Sequence, residues 1–328
     1  MRALMISEAN DQFTIAVQDH EPTATSPEDL LIRVDYSGVN FKDAMVATAA
    51  SRVRRVPRLA GGVDAAGVVE SSHDAALAPG TRVAVHGGNL GVARDGGFAE
   101  FVYAPSTYLS ALPDSLSTRD AMIIGTAGIS AMASVLALEN HDLSEGEVLV
   151  TGATGGVGSM AIAFLAARGH APVASTGSLE EAEWLLDRGA TRVIGRDEIA
   201  DKPDRVLAGE RWAGAVDCIG GDTLHQILRS LRYGAAVAAS GLVAGTDLTT
   251  TIYPFITRSV SLLGIDVVEM RAKMRAHVWQ ALGETAPRVD FKALVDREIG
   301  LDGLPLALED IRHGRSRGRI LVKPTSGA

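Results

Sequence analysis

The stretch Glu147-Val-Leu-Val-Thr-Gly-Ala-Thr-Gly-Gly-Val-Gly158 decides the fold of this chain. It predicts a short apolar strand that runs through a glycine-rich turn into an apolar helix, and it has the A-x-G-x-x-G form of a dinucleotide-binding fingerprint. Gly155 and Gly156 would let the backbone approach a pyrophosphate, while Gly158 would let the helix pack closely on the strand. The helix N-terminus would add unpaired N–H groups and a positive dipole.

The residues that follow this turn alternate between strands and helices. Helices are predicted over 156–168, 179–188 and 222–231. Together with the strands, this alternation predicts a doubly wound parallel sheet, the Rossmann arrangement. The predicted strands are Glu147–Thr151, Ala171–Ser175, Arg192–Ile194, Ala215–Ile219, Ala235–Ser240 and Val260–Ile265.

Both ends of the chain differ from this central part. The first third carries short apolar runs between Pro and Gly, which are typical of a β-rich domain, and Asn40 is placed to cap a short helix. The tail returns to mixed structure, with helices predicted over 271–282 and 304–313 and a final strand over 319–322. We therefore predict a nucleotide-binding domain over 122–266, inserted into a second domain built from 1–121 and 267–328.

Composition narrows the class of protein. The formal net charge of −9 argues against binding to nucleic acid, and the single cysteine, Cys218, excludes an internal disulfide framework. The two long uncharged stretches, 121–138 and 148–167, contain glycine and hydroxyl residues, and a buried strand–turn–helix explains the second better than a membrane span. A reduced, cytoplasmic globular protein is expected.

The cofactor preference can be judged from the end of the second predicted strand. An NAD-binding domain usually carries an acidic residue there for the ribose hydroxyls. This chain has Ala174-Ser-Thr-Gly-Ser178 and no carboxylate before Glu180, while Arg192 and Arg196 lie nearby. Small hydroxyl residues with arginines nearby suit a 2′-phosphate better than Asp or Glu would, which favours NADPH. The alternative for both arginines is a position on a solvated surface without a ligand.

The chain resembles the medium-chain dehydrogenase/reductase superfamily, and within it the zinc-free acrylyl-CoA reductase and quinone oxidoreductase subfamily. The resemblance implies a Rossmann domain inserted into a GroES-like catalytic domain, and a homodimer. The segments that carry it are 38–43 (GVNFKD), 62–67 (GVDAAG), 121–128 (AMIIGTAG), 150–158 (VTGATGGVG), 211–217 (RWAGAVD), 252–255 (IYPF), 263–266 (LGID) and 318–322 (GRILV).

The resemblance also implies a reaction. Hydride passes from NADPH to an electron-poor double bond, either of an enoyl thioester such as acrylyl-CoA or, alternatively, of a quinone or reactive enone. A third possibility, from another class, is a non-catalytic regulator that binds NADPH.

Zinc is not expected in this chain. A catalytic zinc needs three protein ligands, and a structural zinc usually needs four cysteines. The chain has one cysteine and eight scattered histidines, and Val63 stands where zinc-dependent relatives carry the histidine of a Gly-His-Glu motif.

Site roles follow residue by residue from the resemblance. The pyrophosphate should meet Thr154, Gly155, Gly156 and Val157. The adenosine ribose end should meet Thr176, Gly177 and Ser178, with Arg196 behind them. The remaining cofactor neighbours would be Phe41, Thr126, Cys218, Leu262 and Arg319, of which Arg319 could pair with a phosphate.

Two departures from the family matter for the chemistry. Many members carry Tyr where this chain has Phe41, which has no hydroxyl and cannot donate a proton. Lys42 and Asp43 then become the candidate catalytic proton donors, with a salt bridge at the helix start as the alternative. The family also tends to show Arg in place of Ser178, so the preference for NADPH is weaker here.

A basic segment stands out in this acidic chain. Residues 52–58, Arg-Val-Arg-Arg-Val-Pro-Arg, precede the Gly62 motif and could attract the phosphates of CoA. A solvated loop is the alternative.

Overall fold

We describe a computed structural model of the chain, covering residues 1–9, 12–144, 146–199 and 205–325. These residues form two compact units. Unit 1 comprises Met1–Thr126, Val268–Ala286 and Asp290–Ala328, and unit 2 comprises Ala127–Val267 and Pro287–Val289. The domain boundaries at 121/122 and 266/267 stay a prediction from the sequence.

In chain order, the strands are β1 (Arg2–Ala9), β2 (Gln12–Asp19), β3 (Leu30–Val39), β4 (Arg58–Ala60), β5 (Asp64–Ser71), β6 (Arg82–His86), β7 (Phe101–Ala104), β8 (Leu109–Ala111), β9 (Glu147–Thr151), β10 (Ala171–Thr176), β11 (Arg192–Gly195), β12 (Trp212–Asp217), β13 (Leu231–Ala239), β14 (Ser261–Gly264), β15 (Val295–Ile299) and β16 (Arg319–Val322). The α-helices are α1 (Phe41–Val46), α2 (Thr118–Leu138), α3 (Gly156–Ala167), α4 (Ala182–Leu186), α5 (Gly221–Ser230), α6 (Tyr253–Arg258), α7 (Ala272–Thr285) and α8 (Leu304–Arg312).

Unit 2 is built on one parallel sheet. Its six strands lie in the order β11-β10-β9-β12-β13-β14, with every neighbouring pair parallel. The strands are short apolar runs because a parallel sheet is covered on both faces, and Leu149, Trp212 and Val237 are fully buried in the core of this unit. The doubly wound Rossmann fold predicted from the sequence is confirmed.

Unit 1 is rich in β-structure. A three-stranded sheet has the order β2-β1-β4, and a seven-stranded sheet has the order β15-β16-β3-β5-β6-β8, with β7 also pairing β3. Apart from the parallel pair β15–β16, these pairings are antiparallel. Unit 1 is the GroES-like part of the predicted architecture, which is confirmed.

Helix α2 contains a break at Gly125, whose backbone lies at φ 49° and ψ −165°. Glycine adopts this positive-φ conformation without the Cβ penalty that other residues carry. Among the described residues, α2 is the one helix long and apolar enough to cross a membrane, but 78% of its apolar window is buried inside the protein. Its apolar character therefore reflects core packing.

Some element bounds differ from the sequence prediction. The fourth strand of the sheet covers 212–217 rather than 215–219, and β13 begins at Leu231 instead of Ala235. The first residues of β13 include polar side chains and Gly234, whose φ is +74°. A hydrophobicity pattern therefore does not detect the earlier start of this strand. Strand β2 lacks a clear sequence signal because it is partly exposed and its burial does not alternate strictly.

Candidate functional site

The glycine turn of unit 2 joins β9 to α3 through a tight backbone path. Gly152 has φ +59°, and the Gly155 N–H donates to Gly152 O over 2.9 Å. A Cβ on Gly158 would lie 2.4 Å from Gly152 O, so only glycine lets the helix approach the turn this closely. Gly155 is exposed, and Gly156 and Val157 are partly exposed. The N-terminal backbone of α3 is therefore open to a ligand.

The end of β10 lies beside this turn. Thr176 Oγ1 is 3.5 Å from Thr154 Oγ1 and accepts a hydrogen bond of 3.0 Å from the Ser178 N–H. A Cβ on Gly177 would lie 2.3 Å from Arg196 Cζ, which shows that the guanidinium rests against the bare glycine backbone. The structure thus brings five predicted cofactor residues together at the carboxyl edge of the parallel sheet.

The two arginines proposed for a 2′-phosphate have different surroundings. Arg192 forms a bidentate ion pair with Glu147, with Nε–Oε1 at 2.7 Å and Nη2–Oε2 at 2.6 Å. The exposed Arg196 has no ion pair with any residue that the structure describes. Arg192 is therefore committed to tying β11 to β9, and Arg196 is the cation left for an anionic ligand.

Cys218 follows directly after β12, next to the glycine turn. Its N–H donates to Thr151 Oγ1 over 3.0 Å, and the Thr151 hydroxyl donates to the buried Asp217 carboxylate over 2.7 Å. Burial, with a smaller effect of Asp217, raises the pKa of the Cys218 thiol to about 12. The thiol is thus protonated at neutral pH, and a nucleophilic role is unsupported. Leu262, by contrast, lies in the edge strand β14 and is 39% exposed.

In unit 1, Asp43 closes the first turn of α1. Its Oδ2 accepts from the Asn40 N–H and its Oδ1 from the Val63 N–H, both over 2.8 Å. The side chain is almost completely buried, and this burial, with the charge of Asp64 as a smaller cause, raises its pKa to about 7. Asp43 therefore fixes α1 against the Val63 backbone, and its assignment as a proton donor stays a prediction.

Asp64 is a buried centre of hydrogen bonds that sequence reasoning missed. Its Oδ1 accepts from the Thr126 hydroxyl over 2.5 Å, and its Oδ2 accepts from the Thr126 N–H over 2.9 Å and from Asn40 Nδ2 over 2.8 Å. The Thr126 hydroxyl proton is thereby committed to Asp64. The only sequence signal for Asp64 was its place in the 62–67 motif. That motif indicates that a zinc ligand is missing at Val63, but it does not indicate the hydrogen bonds of Asp64.

Arg319 lies in the same buried cluster. Its Nε donates to Ile123 O over 2.9 Å, its Nη1 donates to Asn40 Oδ1 over 3.0 Å, and its Nη2 lies 3.7 Å from Asp64 Oδ2. The guanidinium is only 2% exposed and faces partners of its own unit, and the pairing of Arg319 with a cofactor phosphate stays a prediction. Its role is to balance the buried carboxylate.

Phe41 and Lys42 are the accessible residues of α1. The Phe41 ring is 37% exposed. The half-buried Lys42 side chain makes no hydrogen bond or ion pair with any residue that the structure describes, so the salt bridge considered for it is absent from that part of the chain. Of the two predicted donors, Lys42 is the one whose side-chain amino group has no partner among the described residues.

Metal ligands do not converge among the described residues of either unit. Within the described ranges, no three His, Cys, Asp or Glu side chains lie close enough together to hold a metal ion. Val63 is buried beside Asp43, at the place where the zinc-dependent pattern would need a ligand. The described residues therefore offer no ligand set for a zinc ion.

The chain matches two family descriptions in succession. Residues 26–114 match the alcohol dehydrogenase GroES-like domain, and residues 156–284 match the zinc-binding dehydrogenase family. The first match falls in unit 1 and the second largely in unit 2.

Individual relatives cover nearly the whole chain. YhfP of Bacillus subtilis, which is named as a putative quinone oxidoreductase, is 42% identical over 98% of both chains. The acrylyl-CoA reductase AcuI of Ruegeria pomeroyi is 40% identical over 96% of both chains. The crystal structure of YhfP with NAD bound has a TM-score of 0.95 at 41% identity, covering 98% of this chain and 99% of YhfP. The structure of YhdH from Escherichia coli K-12 with bound NADPH has a TM-score of 0.92 at 38% identity, with coverage of 98% and 99%.

A glycine turn on a parallel sheet, joined in one chain to a GroES-like unit, defines an oxidoreductase of the dinucleotide-binding class. More narrowly, the chain belongs to the medium-chain dehydrogenase/reductase superfamily, in the subfamily of acrylyl-CoA reductases and quinone oxidoreductases.

Proposed function

We propose that this protein is an NADPH-dependent reductase of an activated carbon–carbon double bond, with an acrylyl-CoA-type enoyl thioester as acceptor. One observation carries the cofactor assignment: the Arg196 guanidinium, which has no ion pair among the described residues, rests on Gly177, at the end of a strand without a carboxylate. The NADPH bound to YhdH supports the proposal. Because YhfP has been solved with NAD bound, the preference for the 2′-phosphate of NADPH is the point to test. The name of AcuI supports the acceptor.

In this proposal the residues of unit 2 hold the cofactor. The backbone of Thr154, Gly155, Gly156 and Val157 binds the pyrophosphate at the N-terminus of α3, where unpaired N–H groups and the helix dipole favour an anion. Thr176, Gly177 and Ser178 meet the adenosine ribose, and Arg196 pairs with its 2′-phosphate. Cys218 and Leu262 contact the nicotinamide end. When bound, NADPH supplies the hydride.

The residues of unit 1 serve the acceptor. Hydride addition at the β-carbon of an enoyl thioester leaves an enolate, which takes a proton at the α-carbon. We assign this proton to the Lys42 ammonium, because Lys42 has no competing partner in the described chain. Asp43 then acts as a positioning residue that fixes α1, and Thr126, oriented by Asp64, is a neighbour of the nicotinamide.

Three further parts of the proposal concern the whole protein. Activity needs no zinc, because the residues that the structure describes do not fit one. The protein forms a homodimer, for which the edge strand β14 is the candidate interface. Its compartment is the cytoplasm.

A quinone or reactive enone is the second candidate acceptor. The observation that favours it is the exposed Phe41 ring, since a planar acceptor could stack on it. YhfP, which is named as a putative quinone oxidoreductase, supports this alternative.

Steady-state oxidation of NADPH by acrylyl-CoA, and separately by a quinone, tests the acceptor. The proposal expects turnover with acrylyl-CoA and a much lower kcat/KM with the quinone. The opposite ranking would establish the alternative, and NADPH binding without turnover of either acceptor would point to a regulator.

The variant Arg196→Gln tests the cofactor assignment. We expect it to raise the Kd for NADPH by about tenfold or more, the worth of one charge-assisted hydrogen bond, and to leave the Kd for NADH unchanged. Arg192→Gln is the matched control, because its ion pair with Glu147 should affect stability and spare the preference. Equal losses for NADPH and NADH in Arg196→Gln would refute the 2′-phosphate contact.

A further inference from the structure

The basic segment 52–58 does not have one environment throughout. Arg54 is buried, whereas Arg52, Arg55 and Arg58 are exposed. None of these three exposed guanidinium groups has a carboxylate partner among the residues that the structure describes; Arg55 Nη1 reaches only the Asn89 amide oxygen, at 3.5 Å. In a chain of net charge −9, these cations on one short segment form a local site for an anion.

Arg54 anchors the segment to the protein. Its Nη1 donates to Val46 O over 2.7 Å and to Thr48 O over 3.0 Å, and its Nη2 pairs with Glu8. Its guanidinium also lies over the Phe13 ring, 5.4 Å from the centroid. Arg54 therefore anchors the basic segment that the sequence predicts to attract CoA phosphates, because its guanidinium is buried and paired inside the fold.

The residues next to the exposed arginines are fixed as well. Val53 packs against the buried cluster that contains Val46 and Val63, and the Arg55 N–H donates to Val92 O over 2.9 Å. The Ser51 hydroxyl donates to Met45 O over 2.7 Å. Arg52 and Arg55 thus project from a held backbone, which lowers the entropic cost of binding a ligand.

The anchored segment also has a defined relation to α1. Arg54 and Ser51 bind carbonyls in the last turn of this six-residue helix, while Phe41 and Lys42 stand in its first turn. At 1.5 Å per residue, the helix separates the two ends by about 9 Å. The segment that carries Arg52 and Arg55 is thus held at the opposite end of α1 from Lys42.

We propose that Arg52 and Arg55 bind the phosphate groups of the CoA portion of the acceptor. This inference rests on the proposed function, and it deepens that function by assigning the residues that distinguish a CoA thioester from a quinone. Guanidinium groups suit phosphates because they offer paired N–H donors and a permanent charge. The contact lies away from the reacting double bond, so it should act on KM and leave kcat unchanged.

The test compares two acceptors that share the acyl thioester, acrylyl-CoA and acrylyl-pantetheine, which lacks the phosphates. For the double variant Arg52→Gln/Arg55→Gln we expect KM for acrylyl-CoA to rise by about tenfold or more, with kcat within about twofold. The kcat/KM for acrylyl-pantetheine should stay within about twofold of the wild type. Lys292 is an exposed cation of the same unit, so Lys292→Gln is the control for net charge. It should change the KM for neither acceptor.

The outcomes separate this inference from the proposed function. If the wild type reduces acrylyl-pantetheine and the double variant loses activity equally on both acceptors, the phosphate contact is refuted while the function stands. An equal rise in KM for Lys292→Gln would show general charge steering and would also refute it. If the wild type reduces neither thioester, the proposed function fails.

Calorimetric binding of free CoA and of dephospho-CoA provides a measurement that does not depend on turnover. We expect the wild type to bind CoA, and the double variant to bind it at least about tenfold more weakly. Weaker binding of dephospho-CoA by the wild type would locate the contact at the 3′-phosphate, and equal binding would locate it at the pyrophosphate. No CoA binding by the wild type, or unchanged binding by the variant, would overturn the inference.

Discussion

Arg319 and Asp64 form a charge pair inside unit 1, with Nη2 3.7 Å from Oδ2 and with both side chains almost fully buried (2% and 0% exposed). The pair joins the last strand, β16, to the start of β5. Moving both charges out of water costs free energy, and this cost offsets much of the attraction between them. Removing one partner is nevertheless strongly destabilising, because the other charge is then left buried and unpaired.

The variant Arg319→Met should therefore lower the free energy of unfolding by about 3–5 kcal/mol, because it leaves the Asp64 carboxylate buried without its cation. Urea denaturation followed by circular dichroism measures this loss. Arg319→Lys keeps the charge and should lose less. A decrease below about 1 kcal/mol for Arg319→Met would show that Thr126 and Asn40 alone satisfy Asp64.

Gly156→Val should weaken NADPH binding strongly. A β-branched side chain in the first turn of α3 would block the approach of a pyrophosphate to the backbone. Fluorescence titration with NADPH, on a variant shown to be folded, measures the effect. Unchanged affinity in a folded Gly156→Val protein would remove the glycine turn from the cofactor site.

Exhaustive chelation should leave turnover intact. The single cysteine and the buried Val63 leave no ligand set for zinc among the described residues. Elemental analysis and activity before and after treatment with a chelator provide the measurement. Stoichiometric zinc whose removal abolishes activity would contradict this prediction.

Lys42→Met should lower kcat by about a hundredfold or more if the ammonium delivers the proton, with NADPH affinity retained. Asp43→Asn is the comparison, because Asp43 is buried and binds backbone N–H groups. Effects below about threefold in both variants, under roughly 1 kcal/mol of barrier, would instead identify water as the donor. A gain of activity in Phe41→Tyr would then show that the missing hydroxyl limits the reaction.

The pH dependence of stability provides a separate test of Asp43. Its pKa is raised from 3.8 to about 7 in the fold, so the folded protein binds more protons than the unfolded chain between these values. The stabilising contribution is complete below about pH 4 and is lost as the pH rises through 7. The difference in unfolding free energy between wild type and Asp43→Asn should therefore shrink over this window. A difference independent of pH would contradict the raised pKa.

The fold could be predicted largely from local signals. The glycine turn and the apolar strands lie within short stretches whose pattern reflects their own burial. The cluster around Asp64 could not be predicted in this way, because it joins Asn40 and Thr126 from 24 and 62 residues away. Which arginine of the basic segment is buried was equally hidden, since Arg54 is enclosed by partners that only the tertiary fold brings to it.

The difference between the buried Arg54 and the exposed Arg52 and Arg55 has a consequence for which positions of the enzyme can change. Arg54 carries the anchoring, so positions 52 and 55 can accept other side chains with little loss of stability. With the proposed CoA contact at these two positions, acceptor choice should be open to redesign in a two-position library without disturbing the helix that carries Lys42.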